Sequence, residues 1–283
     1  AKVLLNSRVQ ELLKNENDDV VGVQVQASNG PIKDIRASNV VLATGGFAAD
    51  RTRDSLLSKF RPELINMAAT AGNFSTGDGI MLATSLGAGT IDMEKVQIHP
   101  TGWVDPADPD SSNKVLAAEV LRGAGGILFN ETGHRFCNEI GTRAYIADKM
   151  LSHDTNFCQH KVWNKDATIP TFSLVLSQTA ANEVENLVGR YVQKGLLSKL
   201  NGASELADWM EVNAETVSDR LCQYRVSAKN GADEFGKTVF RGVPEDDSFY
   251  YAGKVTPVLH YCMGGVVIDS QGNVLLEKTN TPI

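Results

Sequence analysis

Val40-Val-Leu-Ala-Thr-Gly-Gly46 is the stretch on which the fold depends most. An apolar run ending in two glycines reads as a buried strand stopping at a tight turn, where missing side chains let the backbone approach a ligand. Upstream the texture is also β. Ala1 to Asn6 reads as the start of a strand, Val20-Val-Gly-Val-Gln-Val-Gln26 alternates like a half-buried one, and Asn29-Gly-Pro31 is a turn signal. Downstream, Asp50 to about Lys59 and Gly79 to about Leu86 read as short helices, and Asp92 to Ile98 as a strand. Ser75-Thr-Gly-Asp-Gly-Ile80 sets two glycines around a carboxylate at a helix start, which suits ligand hydroxyls and a nearby anion. Strand, glycine turn and helix in this order match a dinucleotide-binding domain. A capped helix start and a tight turn would use the same residues without any ligand.

From Gly102 to Val255 the texture changes. Trp103-Val-Asp-Pro-Ala-Asp-Pro-Asp-Ser-Ser112 is a loop rich in breakers, and helical patterning follows it. The longest helix is expected from about Ser177 to Leu197, where Val184, Leu187, Val188, Tyr191 and Val192 form one apolar face. Ser204 is a candidate cap for a helix to Met210, and Asn213 for another to about Tyr224. From Thr256 the β texture returns, with Gly265-Val-Val-Ile-Asp269 and Val274-Leu-Leu276 flanking a Gln271-Gly-Asn273 turn as a hairpin candidate. The expected architecture is therefore α/β plus α+β. A Rossmann-like domain (1–101 and 256–283) is interrupted by a helical capping domain (102–255), and a site is expected where the two meet.

Composition excludes some functions. The 283 residues carry a net charge of −7, which argues against a nucleic-acid surface. No apolar run approaches the ~18 residues of a membrane span. Cys137, Cys158, Cys222 and Cys262 form no CxxC pair and no metal-ligand spacing with the histidines. Reduced thiols in an intracellular, soluble protein and no metal are therefore expected. Both ends fall inside patterned sequence, as expected of a central piece of a longer chain.

The chemistry-bearing residues are dispersed. His99 lies in Gln97-Ile-His-Pro-Thr-Gly102 and His260 in His260-Tyr-Cys-Met-Gly-Gly265, with Glu119-Val-Leu-Arg122 and Arg143 between them. Cationic and polarisable donors drawn from distant segments suit a small dianion, because a buried dicarboxylate needs several charge-assisted hydrogen bonds to offset its lost hydration. The ordinary alternatives are satisfied structural histidines and a surface ion pair at Glu119 and Arg122. The apolar and glycine-rich flanks of that pair favour burial. His134, His153 and His160 sit among polar residues and are expected to be solvated.

Together, Gln-Ile-His-Pro-Thr-Gly, Glu-Val-Leu-Arg-Gly and His-Tyr-Cys-Met-Gly-Gly resemble the soluble fumarate reductase flavoproteins, within the fumarate reductase and succinate dehydrogenase superfamily. Leu116-Ala-Ala-Glu119 and the preceding loop look most like the eukaryotic soluble branch. The resemblance covers about Ser7 to Pro282. It implies noncovalent FAD, contacted near Val9, Ala43, Thr44, Gly45, Asp78 and Tyr261. It implies fumarate or succinate held by His99, His260, Thr101, Glu119 and Arg143. A hydride would come from flavin N5 and the proton from Arg143, resupplied through Glu119 and Arg122. It further implies an electron-donor domain or NADH-linked partner, and leaves mitochondrion, glycosome or peroxisome, and cytosol open.

This sequence departs from that pattern in three ways. Ala118 stands where some members carry a substrate-contacting Thr. The Gly-rich phosphate loop is absent, and so is the downstream Asn-Arg-Leu segment whose arginine takes the second carboxylate. A succinate dehydrogenase-like or L-aspartate oxidase flavoprotein shares the two-histidine frame, and a catalytically silent capping or binding module is a rival of a different kind.

Overall fold

The computed structural model describes residues 2–28, 30–153, 170–245 and 249–283. Ala1, Asn29, Cys158 and His160, each part of an expectation above, lie outside them. In chain order the elements are β1 (Ser7–Lys14), β2 (Val20–Ala27), β3 (Ile32–Arg36), α1 (Leu56–Phe60), α2 (Asp78–Ser85), β4 (Thr90–Ile91) and β5 (Val96–Trp103). Next come α3 (Val120–Gly123), β6 (Ile127–Phe129), α4 (Arg143–Leu151), β7 (Phe172–Ser177), α5 (Gln178–Glu183) and α6 (Glu185–Gln193). The last are β8 (Ser198–Asn201), α7 (Gly202–Met210), α8 (Ala214–Asn230), β9 (Phe249–Cys262) and β10 (Gly265–Val266). Among the described residues, no helix is long and apolar enough to cross a membrane. The elements fall into two compact units, residues 1–65, 73–96 and 261–283 in one and 66–72 and 97–260 in the other.

In the first unit β1, β2 and β3 form an antiparallel meander, with Val23 of β2 opposite Leu12 on one side and Ile35 on the other. The strand does not begin at the N-terminus as expected, because Asn6 takes a left-handed backbone (φ 51°) that ends the extension before Ser7. A second correction concerns residues 40–44. They form no strand, and Val41 is 85% exposed. Extended backbone becomes a buried strand only when neighbouring strands take up its N–H and C=O groups, and none of the described strands lies alongside. The helix expected from Asp50 is reduced to α1. Asp50 Oδ1 accepts from the Thr52 amide at 2.9 Å in a side-chain turn, and Ser55 supplies the actual N-cap, accepting from the Ser58 amide. The strand expected from Asp92 begins only at Val96, since Asp92 is itself left-handed (φ 56°). α2 matches its expected span to within a residue. The C-terminal hairpin contracts to a single Ile268–Val274 bridge, its turn held by Asp269 Oδ1, which accepts from the Gln271 and Asn273 amides.

The second unit combines helices with a sheet in the order β5-β9-β7-β6, with β8 paired to β9. The all-buried β7 reads Phe-Ser-Leu-Val-Leu-Ser, and its two faces enter two cores. Leu174 and Leu176 pack with Trp103, Leu121 and Ile146, while Val175 packs with Leu206, Leu221 and Tyr250. The single long helix expected over Ser177–Leu197 is two helices, because Val184 (φ −130°, ψ 33°) breaks the backbone between α5 and α6. α7 starts two residues before the expected Ser204 cap, and its N-cap residue Asn201 makes no side-chain cap bond. Asn213 does cap α8, accepting from the Glu215 amide, which at a helix start stabilises by about 1 kcal/mol.

Candidate active site

Gln97 and His99 project from the same face of β5, two residues apart on a strand. β5 passes very close to β9: a Cβ on Gly102 would sit 2.4 Å from Val258 Cγ1. The His99 and His260 rings meet edge to face, 5.2 Å between centroids.

His99 is fully buried. The Thr101 backbone N–H donates to its Nδ1 at 3.1 Å, while the Thr101 hydroxyl donates to the Ala117 carbonyl at 2.9 Å. Accepting from that amide leaves the ring hydrogen on Nε2, whereas donating to the Thr101 carbonyl, 3.2 Å away, keeps it on Nδ1 and leaves Nε2 an acceptor. That Nε2 has no partner among the described residues. Burial first, then the charges of Arg122, His260 and Arg143, push its pKa down to about 3, so the ring is neutral at physiological pH. His260 is fixed from its other side. Residues 66–72 run along β9 through Ala68, Thr70 and Leu259 backbone bonds, which places Thr70 Oγ1 2.7 Å from His260 Nδ1. Burial, then Arg143, lowers its pKa as well.

Arg143 is the first residue of α4, whose N-cap Thr142 accepts from the Tyr145 amide. Its Nε donates to Glu119 Oε2 at 2.7 Å and its Nη1 to Gln97 Oε1 at 2.7 Å. The hydrogen bond from Arg143 is the main cause that holds Glu119 below the usual carboxylate range, so Glu119 is ionised at neutral pH. Glu119 itself sits in a segment tied down by Tyr191, whose hydroxyl donates to the Leu116 carbonyl at 2.8 Å. The ordinary alternative, an ion pair of Glu119 with Arg122, does not form among the described residues. Glu119 precedes the four-residue α3 and turns to Arg143, while Arg122, 2% exposed, donates through Nη1 to the Glu139 carbonyl at 2.6 Å. Arg122 Nε and Nη2 have no partner among the described residues. Burial lowers its pKa.

Three buried nitrogens without partners among the described residues, His99 Nε2 and Arg122 Nε and Nη2, cost about 1–3 kcal/mol each or more for the charged group. An anion is the ligand chemistry that recovers this cost. His153 differs from expectation. It is half-buried, pairs with Glu131 at 3.0 Å and packs on Phe136 and Phe172.

In the first unit, Val9, Ala43, Thr44, Gly45 and Asp78 line one open cleft. Tyr261, half exposed, is not among its lining residues. Gly45 is left-handed (φ 74°), with only Ser75 Oγ near the space of a Cβ. Gly79 fits tightly beneath Thr44, whose Oγ1 lies 2.3 Å from where a Cβ would be. Asp78 accepts from Thr76 Oγ1 at 2.7 Å and pairs with the exposed Arg8 at 3.2 Å.

A family model described as FAD binding domain matches residues 1–283. The chain belongs to this FAD-binding family. Among curated relatives it is 40% identical to a fumarate reductase of Schizosaccharomyces pombe, over 97% of this chain and 51% of that protein. It is 32% identical to fumarate reductase 1 of Saccharomyces cerevisiae, over 97% of this chain and 56% of that protein. A solved open conformation of a flavocytochrome c3 fumarate reductase is 27% identical, with a TM-score of 0.71 over 98% of this chain and 44% of that one. The chain spans about half the length of these curated relatives.

The cleft of this FAD-binding chain fits one part of the cofactor. Asp78 is an acceptor for hydroxyls, and the side-chain-free Gly45 leaves room for close backbone approach. The cation that lines it, Arg8, is already paired to Asp78, so these residues suit the ribityl and ring portion rather than a pyrophosphate. Sequence reasoning assigned no role to three residues that shape the site. Gln97 was legible as the i, i+2 partner of His99 and Glu139 from its place in the Asn138–Arg143 stretch, whereas Thr70 carried no local signal.

Proposed function

We propose that this chain holds the substrate site and part of the flavin site of an enzyme that reduces fumarate to succinate with noncovalent FAD. The observation that carries this reading is the buried, unpaired donor set of His99 and Arg122 beside His260 and Arg143. Residues 1–101 and 256–283 would serve FAD, and 102–255 would act as the cap. Val9, Ala43, Thr44, Gly45, Asp78 and Tyr261 would contact the flavin portion.

FAD, when bound, would supply a hydride to one alkene carbon. His99 Nε2–H and His260 bind substrate carboxylate as neutral donors, with Thr101 holding the His99 tautomer and Thr70 the His260 ring. Arg143 delivers a proton from its guanidinium to the other carbon. Arginine is a weak acid, with a pKa above ~12, so delivery needs a strongly basic acceptor and prompt replacement. Glu119, whose Oε2 lies 2.7 Å from Arg143 Nε, would return that proton, and Arg122 would resupply Glu119 across a gap that it does not bridge directly. Electrons would arrive from an attached donor domain or an NADH-linked partner.

In the full-length protein, Arg143→Ala is expected to abolish fumarate-dependent oxidation of a reduced dye while visible flavin absorbance is retained. Near-wild-type turnover would remove Arg143 from the acid role. Amine-dependent peroxide production would point to an L-aspartate oxidase, and bound flavin with no turnover in the unmutated protein to a silent module.

A further inference from the structure

A buried ionic cluster stands behind Arg122 and has no part in the chemistry above. The Glu139 carboxylate, with no solvent exposure, accepts two parallel hydrogen bonds from Arg135, each 2.8 Å, and a third from Lys237 Nζ at 2.9 Å. Arg135 also reaches Asp233 Oδ2 at 2.8 Å, and Asp233 Oδ1 accepts from the Phe235 and Lys237 amides. The Tyr224 ring lies beside both cations, 4.8 Å from the Arg135 guanidinium carbon and 5.0 Å from Lys237 Nζ. Two cations and two anions balance. Apolar residues of similar volume stabilise a core at least as well as such a cluster, so stability alone does not explain it.

The other end of Glu139 offers an explanation. Its backbone carbonyl accepts the 2.6 Å hydrogen bond from Arg122 Nη1, while Arg122 Nε and Nη2 stay unpaired among the described residues. A carboxylate clamped from two sides cannot let its own backbone drift. The carbonyl is therefore a fixed point from which the guanidinium is aimed.

We propose that Glu139 and Lys237 are positioning residues for Arg122, acting through the Glu139 carbonyl. The effect of the cluster is to hold one rotamer of a buried cation whose other nitrogens are left for a ligand. Losing that hold would let Arg122 leave the one place from which its charge acts on Glu119. This inference rests on the reading of Arg122 as part of the proton relay.

A double-mutant cycle in the full-length, flavin-bound protein tests it. Glu139→Gln with Lys237→Met removes one charge of each sign, so the cluster stays neutral and the Arg135–Asp233 pair survives. The expected result is a kcat about tenfold lower. In an Arg122→Met background the same pair of changes should alter kcat by less than about twofold, since its effect passes through Arg122. An equal loss in both backgrounds overturns the proposal, and so does wild-type kcat in the folded double variant. If that variant fails to hold flavin, Lys237→Gln alone, which keeps the Arg135 clamp, goes through the same cycle, and the same two results overturn the proposal. Normal turnover in Arg143→Ala would sink the relay itself. Additivity in an enzyme that Arg143→Ala silences would sink only the positioning role.

Discussion

Glu119→Gln separates the structural from the chemical role of the Glu119–Arg143 pair. The two atoms are 2.7 Å apart, but the Arg143 side chain is 28% and the Glu119 side chain 50% exposed. At an effective dielectric of about 20, two unit charges near 4 Å attract by about 4 kcal/mol. Solvent screening and side-chain entropy reduce such exposed pairs to about 0.2–1 kcal/mol in practice. Glutamine also keeps an oxygen that can accept from Arg143 Nε. The stability loss should therefore stay below about 1 kcal/mol, a fall of only about 2–4 °C in Tm. Turnover is a different matter, because a glutamine amide cannot carry the returning proton. Loss of a proton-transfer group slows catalysis by about 100-fold or more, equivalent to about 2.7 kcal/mol in the barrier. Stopped-flow oxidation of the reduced enzyme by fumarate should show a first turnover close to wild type, followed by a stalled steady state. Steady-state turnover within about threefold of wild type would refute the relay. A first turnover slowed as much as the later ones would show instead that Glu119 acts by holding Arg143.

Two further outcomes follow from the geometry. His99 has a folded pKa near 3 against the usual 6.5, so below about pH 6.5 the unfolded chain takes a proton that the folded chain refuses. Stability should fall with acidity across that window by up to about 1.4 kcal/mol per pH unit from this residue, and urea unfolding of His99→Gln should show a shallower acid limb. An unchanged limb would mean that His99 is not held neutral. Gly102→Ala would force a methyl within 2.4 Å of Val258 and is expected to cost about 1–3 kcal/mol and to raise KM for fumarate. Adding Val258→Ala should restore much of the KM, and an unaffected single variant would show that β5 and β9 need no such closeness.

The helix α2 was legible because local chemistry sets it. Glycines near a carboxylate stop a strand or start a helix whatever surrounds them. The apolar 40–44 run misled for the opposite reason. Hydrophobic pattern marks a segment as ready to pair, while pairing requires a neighbour that local sequence does not describe. The same limit separates Ser177–Leu197 as read from α5 and α6 as folded, since the break at Val184 is a backbone dihedral choice and not a change of apolar face.

By itself the sequence determined which side chains were available: imidazoles at 99 and 260, guanidiniums at 122 and 143, a carboxylate at 119, and motifs that matched a family. Tertiary structure alone decided their partners. Glu119 turns from the arginine three residues away to one brought from α4, Thr70 joins from a segment without a motif, and the Glu139 carbonyl takes up Arg122. The physical reason is that short-range order depends on side chains a few residues apart, whereas a buried donor is left paired or unpaired by whatever distant backbone the packed strands carry to it.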